Sequence, residues 1–314
     1  MDFIENIKNI VKNNEKKTII LTEGEDSRVV EAIEKVKDYC NIILVGDLKS
    51  KIADVTIINP KDSKYLEVFT EQLYNLRKHK GITITKAKEL LLNNNMYFAC
   101  MLLINGIGDG IVSGACHTSM DTIRPVLELI RAKESSKLVS SFFIMDTSNK
   151  TYLFSDCALN ISPSSEELAY IGLESSYSYK KITGNDPFTA FLSYSSYGSG
   201  KGELVDKVKT AVEKAKELDS SLLIDGELQL DAAINKTVSR IKTPNSKING
   251  EANVLIFPDL NSGNIGYKLV REFSNAKCYG PILQGLNKPV NDLSRGCNVD
   301  EIVGTILITC LQAI

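Results

Sequence analysis

Apolar residues along this chain gather in short unbroken runs that alternate with longer amphipathic stretches. The runs at 18–21, 42–45 and 55–58 are apolar or β-branched throughout, as strands buried on both faces are, and the stretches 27–39 and 65–77 carry the helical period. The alternation continues to the end. Strands are predicted at 110–113, 138–145, 152–157, 189–194, 253–257 and 278–283, and helices at 122–132, 166–177, 204–218, 232–241, 265–273 and 299–314. Strand, helix and strand in succession predict an α/β fold in which a mainly parallel sheet is covered by helices.

So many strands in 314 residues exceed what one hydrophobic core usually holds. The polar stretch 131–137 (RAKESSK) is the predicted exit from a first domain, and the Gly and Pro cluster around Gly285 the predicted return. Domain I is then discontinuous, 1–136 with 286–314, and domain II, 137–285, is an insertion. The last helix rejoins domain I.

Charge and composition narrow the function classes. Lys and Arg total 37 against 39 Asp and Glu, a formal net charge of −2, which argues against a nucleic-acid partner. No run of 18 apolar residues occurs, and the N-terminal MDFIENIKNIVKNNEKK mixes charge with apolar residues unlike a signal peptide, so a cytoplasmic protein with no membrane partner is expected. Seven cysteines without a CxxC fit a reducing compartment, and two histidines, His79 and His117, are too few for a histidine-rich centre, so no metal is expected. Two glycine-rich stretches fail as nucleotide motifs. In 105–114 (NGIGDGIVSG) the dinucleotide register ends on Ser113 or Ile111, and around Lys201 the P-loop positions hold Ser195 and Gly202.

The densest chemistry lies at 280–297, GPILQGLNKPVNDLSRGC. Gly280, Pro281, Gly285, Pro289 and Gly296 break regular structure there, while Lys288, Asn291, Asp292, Ser294 and Arg295 bring charged and hydrogen-bonding groups. Asn298, Val299, Asp300, Glu301, Ile302 and Val303 follow as an N-cap, two first-turn carboxylates and an apolar stripe. A guanidinium beside a helix N-terminus suits an oxyanion such as phosphate.

With DGIVSGACHTSMDTIRP (109–125), LVSSFFIM (138–145) and ANVLIFPDLNSGNIGYKL (252–269), this segment resembles the phosphate acetyltransferases, of the phosphate acetyl/butyryltransferase family. The likeness spans nearly the whole chain, and the last segment has the acetyl-type form. It implies two domains of isocitrate/isopropylmalate dehydrogenase-like architecture, a cleft between them as the active site, and a homodimer built on the inserted domain. It also implies reversible acetyl transfer between acetyl phosphate and coenzyme A (CoA), with phosphate as the other product. CoA is a substrate, so no cofactor is implied.

Carried over position by position, the resemblance makes Ser294 the catalytic serine and Arg295, Arg124 and Arg77 the cations that hold phosphoryl groups. Where the family has an aspartate base seven places after the serine, this chain has Glu301, preceded by Asp300; Glu301 also sits where it would close a capping box with Asn298. Base at Glu301, base at Asp300 and a cap alone all stay open. A carboxylate is a weak acceptor for a thiol proton, uphill by roughly 6 kcal/mol from ordinary values. Lys288 and Asn291 are expected to line the cleft as loop residues. Cys297 reads as an activated nucleophile or a buried turn residue, and His117 as a ligand contact or a local structural hydrogen bond. Two other readings are weighed: an acyltransferase for propanoyl or butanoyl phosphate, and, on fold likeness alone, a metal-dependent decarboxylating dehydrogenase, for which the acidic ligand cluster and nicotinamide site are missing from the sequence.

Overall fold

The structure, a computed structural model, describes residues 3–47, 52–134 and 136–314, and not the side chain of Ser119. Ser135, within the predicted boundary stretch 131–137, lies outside the described residues. In chain order the elements begin α1 (Phe3–Lys12), β1 (Thr18–Leu21), α2 (Ser27–Val36), β2 (Asn41–Val45), β3 (Val55–Ile58), α3 (Leu66–Arg77), α4 (Ile84–Asn93) and α5 (Asn95–Ile104). Next come β4 (Gly110–Ser113), α6 (Ser119–Leu129), β5 (Ser140–Asp146), β6 (Thr151–Ser155), α7 (Ser165–Thr183), β7 (Phe188–Leu192), α8 (Glu203–Leu218) and β8 (Leu223–Leu228). The last are α9 (Leu230–Ile234), α10 (Lys236–Lys242), β9 (Val254–Ile256), α11 (Leu260–Phe273), β10 (Lys277–Gln284), β11 (Val290–Asp292) and α12 (Val299–Ala313).

Two compact units result, Met1–Arg131 with Leu286–Ile314, and Ala132–Gly285. The first holds strands in the order β3-β2-β1-β4-β11, every pair parallel. Ile19–Leu21, Ile42–Val45 and Ile111–Val112 are all buried, which is why these strands read as continuous apolar runs. Helix α12 packs on α1, α2 and β4 with Ile302–Leu311 buried throughout, so it closes the core of this unit.

The second unit orders its strands β10-β5-β6-β9-β7-β8. From β6 to β8 the pairs are parallel, but β5 runs antiparallel to both β6 and β10. Strands β5 and β6 form a hairpin closed by Thr147, whose N–H donates to the Lys150 carbonyl at 3.2 Å; so short a connection forces antiparallel pairing. The α/β class with a mainly parallel sheet flanked by helices therefore holds, with this hairpin as the departure.

Several elements differ from the sequence reading for identifiable reasons. The predicted helix 232–241 is split into α9 and α10 at Asn235, which caps α10 by accepting from the Thr237 and Val238 amides. Strand β8 was not predicted because Asp225 and Glu227 interrupt its apolar run, and both carboxylates are buried. Helix α5 (NMYFACMLLI) is apolar on every face and so shows no period.

Candidate active site

Strands β1, β4 and β11 are parallel neighbours, with Leu21 opposite Val112 and Ser113 opposite Asp292. All three end on the same edge of the sheet, and their loops leave it side by side. Open α/β sheets bind ligands at this carboxyl edge. The three loops here are Thr22–Asp26, Gly114–Thr118 and Leu293–Asn298.

The loops approach one another closely. Gly114, at φ +111°, has no room for a Cβ, which would overlap Asp292 Oδ1 and stand 2.8 Å from the Leu293 nitrogen. Glu23, 1% exposed, fixes the second loop: its carboxylate accepts from the Gly114, Ala115 and Cys116 amides at 2.8, 2.8 and 2.9 Å, and lies 2.7 Å from His117 Nδ1. Thr22 and Ser113 share a buried hydrogen bond of 2.6 Å beneath it.

Arg28 ties all three loops together. Its guanidinium donates to the Asp26 carboxylate (2.6 Å), the Ala115 carbonyl (2.9 Å), the Arg295 carbonyl (3.0 Å) and the Cys297 carbonyl (2.8 Å). That hydrogen bond, opposed by burial, holds the Asp26 carboxyl well below the usual carboxylate range. Burial pushes the Cys297 thiol up to about 11 against the opposing charge of Arg28. Burial, helped by a hydrogen bond to Asp26, takes Cys116 to about 12. Burial disfavours the thiolate at both positions, which fits Cys297 as a buried turn residue.

On the third loop Ser294 is half-buried and Arg295 exposed. Among the described residues no acceptor takes the Arg295 guanidinium, although its carbonyl is held by Arg28. The capping box at the start of α12 is present: Asn298 Oδ1 accepts from the Glu301 amide and Glu301 Oε2 from the Asn298 amide, both at 2.9 Å. Asp300 is exposed and pairs with Lys35 at 3.3 Å. Lys288 is exposed between β10 and β11. Asn291 departs from expectation: it lies in β11 and not in a loop, fully buried, and its amide donates to Thr309 and Gln312 of α12 at 2.7 Å each. Its side chain braces the core of the unit.

Arg77 and Arg124 come together beside a groove of about 470 Å³ that is also lined by Lys80, Lys86 and Tyr97. Glu128 organises them, accepting from Arg124 Nε at 3.0 Å and Tyr97 Oη at 2.8 Å and standing 3.4 Å from the Arg77 guanidinium. Burial raises the Glu128 carboxyl, but hydrogen bonds from Tyr97 and Arg124 and the charge of Arg77 outweigh it and the net shift is downward. A second cavity of about 340 Å³ shares Asn94 and Asp121 with this groove and reaches Thr22, Ser113, Thr122 and His117. The cationic groove thus adjoins a polar cavity at the strand ends that is lined by Asp121 and His117.

Glu23, Arg28 and Glu128 escape sequence reasoning because the partners that give them their roles, the 114–116 amides, the carbonyls of Ala115, Arg295 and Cys297, and Tyr97 with Arg77, lie on other elements. The only signal for the first two is position: TEGEDSR directly follows a buried strand, where a βα loop carries ligand-facing groups.

A family model described as phosphate acetyl/butaryl transferase matches residues 2–310. The chain is similar to the phosphate acetyltransferase of Clostridium acetobutylicum, 46% identical over an alignment 331 positions long that covers 100% of this chain and 99% of the relative. Among solved structures it is similar to a phosphotransacetylase from Streptococcus pyogenes, with a TM-score of 0.91, 39% identity and coverage of 99% of this chain and 98% of that one. The EutD phosphotransacetylase from Staphylococcus aureus gives a TM-score of 0.88 at 39% identity, with 99% of each chain covered.

Proposed function

The chain belongs to the phosphate acetyl/butyryl transferase family, and we propose a division of labour for the reaction it catalyses, the reversible transfer of an acetyl group between acetyl phosphate and CoA. One observation carries the assignment. Arg295 has a guanidinium without an acceptor among the described residues, stands just before the N-terminus of α12, and rides on a loop whose carbonyls are clamped by Arg28.

Acetyl phosphate is already activated, so catalysis consists of alignment and charge stabilisation. The CoA sulfur attacks the carbonyl carbon, the C–S bond forms, the bond to the phosphate oxygen breaks, and phosphate leaves. Arg295 and the amides at the start of α12 take the phosphoryl oxygens. Ser294 hydrogen-bonds the reacting carbonyl or sulfur. Arg77 and Arg124, presented by Glu128, hold the phosphates of CoA in their groove, and exposed Lys288 adds charge nearby. Glu301 is either the proton acceptor or the fastener of the cap. Substitution by glutamine separates these roles, since glutamine closes the same box but takes no proton.

The two units are assigned as domains, the second an insertion that carries a homodimer contact. An exposed stripe on α11, Ile265, Leu269 and Phe273 at helical spacing, supports that contact. A cytoplasmic location fits the seven free cysteines, and no helix among the described residues is long and apolar enough to cross a membrane. A thiol-consumption assay with CoA and acetyl, propanoyl and butanoyl phosphates tests the reading, acetyl phosphate being the expected best substrate. No thiol loss with any of them would sink it.

A further inference from the structure

We propose that His117, oriented by Glu23, takes the proton of the CoA thiol. The inference rests on the acetyl-transfer reading and names a residue which that reading leaves out.

The geometry is that of a held imidazole with one ring nitrogen unpartnered among the described residues. Glu23 cannot swing away, because three consecutive backbone amides hold its buried carboxylate. The Glu23 oxygens already accept from three amides, so in the neutral imidazole that fits this contact Nδ1 carries the hydrogen and the lone pair lies on Nε2. The ring is not sealed in. Its side chain is 48% exposed and lines the 340 Å³ polar cavity at the carboxyl ends of β1 and β4.

The same cavity holds a second observation. Thr122 Oγ1 is buried there without a hydrogen-bond partner among the described residues, a cost that a bound polar group would relieve. An amide-bearing chain such as the pantetheine arm of CoA has the matching chemistry. With the CoA phosphates on Arg77 and Arg124, the arm passes Asn94 and Asp121, which line both spaces, and brings the thiol towards His117 and the neighbouring 293–298 loop.

Apart from Glu25, exposed on the first loop and close enough to act on Cys116, the other carboxylates at this edge are engaged. Glu301 is engaged in the cap, Asp300 with Lys35, Asp26 with Arg28, and Asp121 with Thr118. The charges facing His117 are Glu23 from the first loop and Asp121 from α6, with Asp26 and Arg28 behind Cys116. In the forward step the S–H proton passes to Nε2 as sulfur bonds carbon and phosphate departs. The imidazolium then releases its proton to water, and the reverse reaction returns it to the sulfur.

The test compares wild type, His117→Ala, His117→Gln and Glu301→Gln for kcat, for KM towards CoA and across pH, with circular dichroism to verify folding. Turnover of both His117 variants should fall by about 100- to 10,000-fold with little change in KM. The acidic limb of the wild-type kcat/KM profile should vanish with them, and added imidazole should restore part of the His117→Ala rate. Glu23→Gln, which removes the orienting charge, should lower kcat and shift the acidic limb. Wild-type turnover in His117→Gln, or an intact acidic limb with no imidazole rescue while Glu301→Gln abolishes turnover, would overturn the proposal and leave acetyl transfer standing. A wild-type protein that consumes no thiol would instead overturn the acetyl-transfer reading itself.

Discussion

Arg28 shows how much a site can depend on a side chain that never meets substrate. Its bonds reach all three loops, two of them ending on the third, and three of its acceptors are backbone carbonyls. Truncation to alanine strands Asp26 and frees the 294–298 loop. Arg28→Ala is expected to cost about 2 kcal/mol of stability and to lower kcat by about 100-fold, since small displacements of aligned groups are expensive. Arg28→Lys should recover stability better than turnover, because one ammonium cannot reproduce the planar fork. Thermal melts and steady-state rates on the same preparations check this, and equal recovery of both would contradict it. The sign for pH follows from Asp26. Its folded value is depressed, so its contribution is fully present above the unfolded value near 3.9 and fades only as pH falls towards the folded one. Any loss of activity between pH 5 and 7 must come from another group.

Glu301 poses the complementary question at the same scale. Its carboxylate closes a capping box, so Glu301→Ala should destabilise the protein by about 1 kcal/mol while Glu301→Gln should melt within a few tenths of wild type. Turnover is then read at matched stability. A large rate loss in the glutamine variant marks Glu301 as a base, and a small one marks it as a cap.

At the scale of elements, α6 lines the groove proposed for CoA. Its Thr118 and Asp121 cap box sets the first turn, and one turn further Arg124 and Glu128 face each other at i and i+4. Arg124→Ala should raise KM for CoA about tenfold with kcat held, while Glu128→Gln should give a smaller rise because both arginines remain but lose their shared anchor. Initial rates at varied CoA settle it, and an unchanged KM in both would remove the groove from CoA binding. How legible such elements are depends on how local their cause is. The start of α12 could be read from Asn298, Glu301 and the apolar run after them, since a cap box is completed within four residues. The role of Glu23 could not, because its amide partners lie 91 to 93 positions away and exist only once β1 and β4 are paired. Asn291 misleads for a related reason. Next to Pro289 it reads as a turn residue, yet pairing of β11 with β4 draws it into the core. The arginines 77 and 124 were legible by resemblance, but not the carboxylate that brings them together.

For the whole molecule the telling feature is what the second unit leaves uncovered. On α11 the buried face includes Gly263 and Tyr267, and the opposite face presents Ile265, Leu269 and Phe273, the last 85% exposed. Ile161 and Ile241, also in this unit, are 77% exposed each. Burying two or three such side chains against a second copy is worth several kcal/mol at about 1.5–3 kcal/mol each, before the cost of association. Charges placed on this stripe would have to be desolvated in the contact yet sit harmlessly in water on the isolated chain. The double variant Leu269→Lys with Phe273→Glu is therefore expected to keep its circular dichroism and melting temperature at low concentration while losing its dimer. Sedimentation velocity at micromolar concentration is the measurement. A dimer that survives both substitutions places the contact on another surface, and a wild-type chain that sediments as a monomer removes the need for one.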